Sequence, residues 1–217
     1  MNAVDLDQQG TRTMAEHRHG ELLGLLALVG AALIASAVEP ADWPTWWLEV
    51  LPVLIGVPIL VATHERFPFT MLAYRLVTLH ALVLILGGHY TYGGVPLGFW
   101  LQDALDLSRN HYDRFAHVVQ GFVPAILARE ILLRLSPLRP GGWLFFLVAA
   151  TCLAISAFYE LIEWWAAMLF GGTAEAFLGT QGDVWDTQWD MFLALVGATA
   201  SQLLLGRLHD RALGKPA

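Results

Sequence analysis

Six predominantly apolar stretches run along this chain, separated by short polar or proline- and glycine-rich segments. They fall at 22–38, 46–63, 71–88, 115–135, 143–170 and 189–208. All but the fifth are close to the roughly 20 residues that a helix needs to cross a bilayer. The pattern predicts an all-α polytopic membrane bundle of six transmembrane helices in one domain, 21–210, between polar tails at 1–20 and 211–217. Pro52, Pro58 and Pro124 fall inside spans and should kink them, so the freed carbonyls need partners on neighbouring helices. The fifth stretch is long enough to tilt or to project beyond the bilayer. Ala35-Ser36-Ala37 resembles a signal-peptidase site, but the polar leader is long for a signal peptide, which favours an uncleaved helix.

The third loop departs most from the apolar pattern. It reads HYTYGGVPLGFWLQDALDLSRNHYDRFAH from His89 to His117. Pro96 opens a short helix in which Leu97, Trp100, Leu101, Ala104 and Leu105 follow helical spacing opposite Asp103 and Asp106. This is the pattern of a helix lying in the membrane interface. Asn110 is placed to cap the helix that follows. Trp43, Trp46 and Trp47 suggest an interfacial aromatic belt.

Composition supports the membrane reading: 56% of the 217 residues are hydrophobic and 14% charged, against about 25% charged in soluble domains. A net charge of −7 argues against nucleic-acid binding and leaves membrane lipid as the expected partner. Cys152 is the only cysteine, which excludes an internal disulfide and a thiolate metal cluster. Of the twelve Lys and Arg residues, ten fall on the N-tail, the 64–70 and 134–142 loops, the C-tail and adjoining helix ends. Only Arg109 and Arg114 fall on the other side. The positive-inside rule then puts both termini in the cytoplasm.

That topology gathers polar groups from four helix ends at the outer face. Asp113 and His117 are four apart and share a helix face. They suit metal ligands, or a base and its orienting partner; alternatively Asn110 and Asp113 form a capping box. Glu160 and Glu163 share a face of the fifth span. Carboxylates near a membrane must be wet, protonated, paired or metal-bound, and Arg109 and Arg114 are the available partners. Asp183, Asp186 and Asp190 share a face if helical; Thr187 and Asp190 alternatively make a capping box. His80 lies near mid-membrane and should face the bundle interior.

Imidazole plus carboxylate without thiolate suits a divalent Zn, Mn or Fe ion. The candidate ligands are His89, His111, His117, Glu160, Glu163, Asp183, Asp186 and Asp190. His117, Asp113 and Glu163 are the candidate catalytic groups. Arg109, Arg114 and Asp103 are candidates for binding a substrate, with the arginines suited to phosphate. Metal-dependent chemistry on an envelope lipid or lipid-linked phosphate is one reading. A non-catalytic binding or assembly protein is a second, and an ion-coupled transporter a third. No HExxH, GxSxG or P-loop pattern selects a reaction class.

The strings GGHYTYGGVPLGFWLQDALDLSRNHYDRFAH, QGFVPAILAREILLR, SAFYELIEWW and GDVWDTQWDM resemble the YjdF family of bacterial inner-membrane proteins. That resemblance covers roughly residues 50–208. It implies a multi-pass protein of the bacterial inner membrane and supplies no catalytic assignment. A weaker similarity to VanZ-like membrane proteins rests on Arg114, His117 and GDVWDTQWDMFLALVGA. It departs from that pattern at Ala194, where an Asn is usual, and implies cell-envelope lipid or glycopeptide-antibiotic biology.

Overall fold

The computed structural model describes residues 3–170, 178 and 180–214. The glycine-rich segment 171–177 and Lys215 of the C-tail lie outside the described residues, as does the side chain of Arg12. Seven α-helices are described: α1 (Ala3–Ser36), α2 (Trp43–Thr63), α3 (Met71–Tyr90), α4 (Pro96–Leu105), α5 (Tyr112–Leu135), α6 (Gly142–Phe170) and α7 (Asp186–Ala212). A 3-10 turn, Tyr92–Gly94, joins α3 to α4.

Local chemistry sets the helix starts. Asp42 accepts the Thr45 N–H at 2.8 Å ahead of α2, and Thr70 caps α3 by accepting from Ala73 N. Pro96 begins α4, where a missing N–H costs no helical bond. Helix α4 leaves Leu97, Trp100, Leu105, Asp103 and Asp106 all exposed and buries only Gly98.

Among the described residues, five helices are long and apolar enough to cross a membrane: α1 over Glu16–Ser36, α2, α3, α6 and α7. Helix α5 is not among them. Its 24 residues would span about 36 Å at 1.5 Å per residue, but it carries charges at both ends. It is the central helix, packed on α3, α6 and α7, and it buries Asp113, His117, Arg129 and Glu130. Polar side chains at membrane depth face the bundle interior. A helix charged at both ends therefore occupies the middle, where protein rather than lipid surrounds its polar groups.

Close backbone approach binds α5 to α7. A Cβ on Gly121 would lie 1.8 Å from the Ala194 carbonyl oxygen, and one on Gly197 would lie 2.0 Å from that of Val118. Small residues let membrane helices approach in this way. Away from the third loop, Glu130 ties three helices together. It accepts from Thr70 N at 3.0 Å and Thr70 Oγ1 at 2.8 Å, from Arg134 at 2.8 Å and from His209 at 3.0 Å. Arg129 donates to the other ring nitrogen of His209 and pairs with Asp210 at 2.9 Å. The Glu130–Arg134 pair is thus one part of a largely buried network that fixes α3, α5 and α7.

Candidate metal centre

The opposite end of α5 begins in a loop held by Asn110. Its side chain is fully buried, donates to the Gly93 and Val95 carbonyls, and accepts the Tyr112 N–H at 3.0 Å. Asn110 thus caps the start of α5 as expected, although His111 occupies the N-cap position itself. Asp113 does not join a capping box. It turns inward, 3% exposed, beside an equally buried His117.

Around that imidazole the fold gathers carboxylates from four helices. His117 Nε2 lies 3.5 Å from Asp113 Oδ1 and 3.8 Å from Asp190 Oδ2. Two buried groups share it: Asp113, His117 and Asp190; and His117, Glu160 and Glu163. In each group the ligand atoms lie within 4.8 Å of one another. Both groups are capable of coordinating a metal ion. Glu49, 1% exposed on α2, adds a fifth carboxylate and, at 3.4 Å, accepts from Tyr159.

The spacing fits ligands better than partners. Asp113 and Asp190 stand farther from His117 than the 2.7–2.9 Å or so of a charge-assisted hydrogen bond. Two ligands each about 2.1 Å from a tetrahedral ion stand about 3.4 Å apart. Moreover, Asp113 Oδ2, His117 Nδ1, Glu160 Oε1 and Asp190 Oδ1 are buried without hydrogen-bond partners. Buried polar atoms are nearly always paired. Four orphaned atoms in one cluster of five acids and one imidazole fit a cation.

An ion-pair layer adjoins this cluster. Arg109 donates to Asp186 at 3.0 Å and lies 3.6 Å from Asp183. Arg114 pairs with Asp183 at 2.6 Å and stacks over Trp189. The arginines therefore hold Asp183 and Asp186, not Glu160 and Glu163 as one sequence reading had it. Those two aspartates face guanidinium groups and are absent from both ligand groups.

Three other candidates stand apart. His89 bonds the Ser36 carbonyl at 2.9 Å and ties α3 to the end of α1. His111 lies 3.4 Å from Arg114; burial and the Arg114 and Arg109 charges hold its imidazole below its ordinary pKa. Asp103 is exposed on α4. Trp46, expected in the aromatic belt, is buried and donates to Ser36 Oγ, while Trp43 and Trp47 remain exposed.

Glu49 was missed by sequence reasoning. Its signal was a lone carboxylate in an apolar span, WWLEVLPV, since such groups are rare in the membrane unless they serve a site. His80, flagged in the sequence, lines a cavity of about 600 Å³ that also reaches His117, Tyr92 and Tyr159.

Comparison with known proteins agrees with the membrane class of this chain. The chain is 53% identical over 181 residues to the inner membrane protein YjdF of Escherichia coli (strain K12), covering 83% of this chain and 87% of that protein. No solved structure matches. Residues 21–211 match the family described as "Predicted membrane protein (DUF2238)". With its apolar spans, all-helical fold and extended identity to that relative, the chain belongs to this DUF2238 family of multi-pass membrane proteins.

Proposed function

We propose that this chain is a single six-span domain of the bacterial inner membrane that binds a divalent cation at His117 and acts there on an envelope lipid or lipid-linked phosphate. The observation that carries the proposal is the buried, under-paired cluster of one imidazole and five carboxylates. Charges in a low-dielectric interior need compensation, and no arginine is paired with Asp113, Glu160, Glu163 or Asp190 among the described contacts.

Helix α5 is the sixth span, its polarity covered by its neighbours. The ten-to-two distribution of basic residues supports cytoplasmic termini and an outward-facing site. The exposed apolar side chains of α4 support its lying in the interface.

In this reading His117, Asp113, Asp190, Glu160 and Glu163 hold the cation, Zn, Mn or Fe by donor type. A bound divalent ion supplies Lewis acidity toward a phosphoryl oxygen, or an acidified water. Glu49, held by Tyr159, stands beside these ligands. Arg109 and Arg114, engaged with Asp183 and Asp186, position α7 against the start of α5.

Elemental analysis of detergent-purified protein tests this. Near-stoichiometric metal in the wild type, lost in both His117→Ala and Glu163→Gln, is the expected result. Metal-free wild type whose stability is unchanged by chelator would overturn it.

The ion pairs favour a second reading for part of the site, in which charges serve helix assembly. Substitutions at Arg109, Arg114, Asp183 and Asp186 should then lower stability without changing bound metal.

A further inference from the structure

Helix α2 packs on α3, while α5 packs on α3, α6 and α7; α2 has no extensive contact with α5 or α6. The slot left between them is the cavity of about 600 Å³ noted above. Its walls are almost wholly apolar and include Val53, Gly56 and Leu60 of α2, Val77 of α3, and Leu127 and Ile131 of α5. Pro52 and Pro124 also line it, at points where a ring removes a helical hydrogen bond and bends the helix. Ile59, Ile131, Leu135 and Ile155 form part of the lining and are 40–71% exposed, so the slot opens sideways toward lipid.

Polarity is confined mainly to one end. There the lining includes His117, Tyr92 and Tyr159, with His80 and Gln120 nearby along α3 and α5. The His80 Nε2 is buried without a hydrogen-bond partner, as is Nδ1 of His117. An apolar slot whose head end carries unpaired imidazole nitrogens fits an amphiphile: a hydrocarbon chain along the helices and an oxygen-rich head at the centre.

Length selects the chain. From His117 to Leu135 the slot follows α5 for about 27 Å at 1.5 Å per residue. The hydrocarbon of a bilayer is about 30 Å thick, so one leaflet's acyl chains reach about 15 Å. A glycerophospholipid entering from the His117 side would leave the far half of the slot empty and have a second chain outside it. One chain, long enough to cross both leaflets, fits.

We infer that the slot between α2 and α5 seats the isoprenoid chain of a polyprenyl phosphate, with the phosphate at the His80–His117 end. Seating of the chain is independent of any metal. Placement of the phosphate rests on the metal-centre reading, because an anionic head beside five carboxylates needs a cation between them.

The test uses full-length protein in nanodiscs and native mass spectrometry. The probes are a polyprenyl monophosphate, the corresponding polyprenol, and dioleoyl phosphatidic acid, which has a phosphomonoester head on two acyl chains. Gly56→Phe projects a ring into the slot, since a Cβ there meets nothing within 4 Å. Gly24→Phe, equally unobstructed on α1 and outside the slot's lining, is the control.

The expected result is at least tenfold tighter binding of the polyprenyl phosphate than of phosphatidic acid in wild type. Binding should weaken tenfold or more in Gly56→Phe, with thermal stability and metal content kept, and should be unchanged in Gly24→Phe. Equal binding of the two phospho-lipids by wild type, the mark of annular lipid alone, would overturn the inference, and needs no variant to fold. Polyprenol binding as tightly as the phosphate, with chelator having no effect, would keep the chain in the slot and remove the metal-held head.

Discussion

Neutralising one carboxylate of the cluster should change stability in opposite directions depending on metal. Consider Glu163→Gln. Glu160 and Glu163 place ligand oxygens within 4.8 Å of each other and of a His117 nitrogen. Two unit negative charges 4.8 Å apart at an effective dielectric of 20 repel by about 3.5 kcal/mol. Full ionisation at that or a shorter separation costs at least this much, and the pair relieves it by binding a proton; about 1–3 kcal/mol remains for a substitution to recover. In chelator the variant should therefore unfold later than the wild type. At about 2–4 °C per kcal/mol for a chain of this size, the shift is about 2–12 °C. With saturating metal the sign reverses. The wild type gains about 4.1 kcal/mol at a thousandfold excess of metal over its Kd, and the variant, short of a ligand, loses most of that. Thermal unfolding in detergent, with and without metal, reads both signs. A variant less stable than wild type in both conditions would refute the reasoning, because Glu163 would then be held by protein contacts and not by an ion.

Other substitutions probe the frame around the site. Glu130→Ala removes a fully buried acceptor of bonds from Thr70, Arg134 and His209, and should destabilise by about 3–5 kcal/mol without altering bound metal; a shift in thermal unfolding of only a degree or two would remove Glu130 as the tie between helices. Gly121→Val should force α5 from α7, because even its Cβ would meet the Ala194 carbonyl oxygen; loss of folded protein on size-exclusion chromatography is expected, and wild-type stability would refute the close contact. Thr91 sits at φ 63° and ψ 147°, a region essentially restricted to glycine and costing other residues about 1–3 kcal/mol. Thr91→Gly should therefore raise the unfolding temperature slightly, and a clear fall would show that the Thr91 side chain supports the turn.

Much of the fold was legible because a bilayer imposes a simple rule. Apolar runs of helical length must be helices, and the ends of α2, α3, α6 and α7 lie within a few residues of those expected. The short α4 was readable from Pro96 and the spacing of its apolar residues. The same rule separates α5 from the rest: its polar residues lower its hydropathy because they point into protein, a matter of burial that one-dimensional averaging does not see.

The candidate site was legible as a list of residues gathered at one end, since helix order and length alone bring the ends of α3, α5, α6 and α7 together. Which members meet was decided by side-chain direction in the folded bundle. Asp183, Asp186 and Asp190 share a helical spacing in the sequence, yet the first two meet Arg109 and Arg114 and only the third reaches His117. His89 and His111 have the right chemistry but point at a carbonyl and an arginine. Glu49 lies 68 residues from His117 in the chain, so only the packing of α2 brings it into the carboxylate cluster. Residue type and the membrane rule determined the class of protein and the end where its chemistry gathers. The tertiary structure decided which carboxylates remain unpaired, because pairing depends on distances of a few ångströms between helices far apart in the sequence.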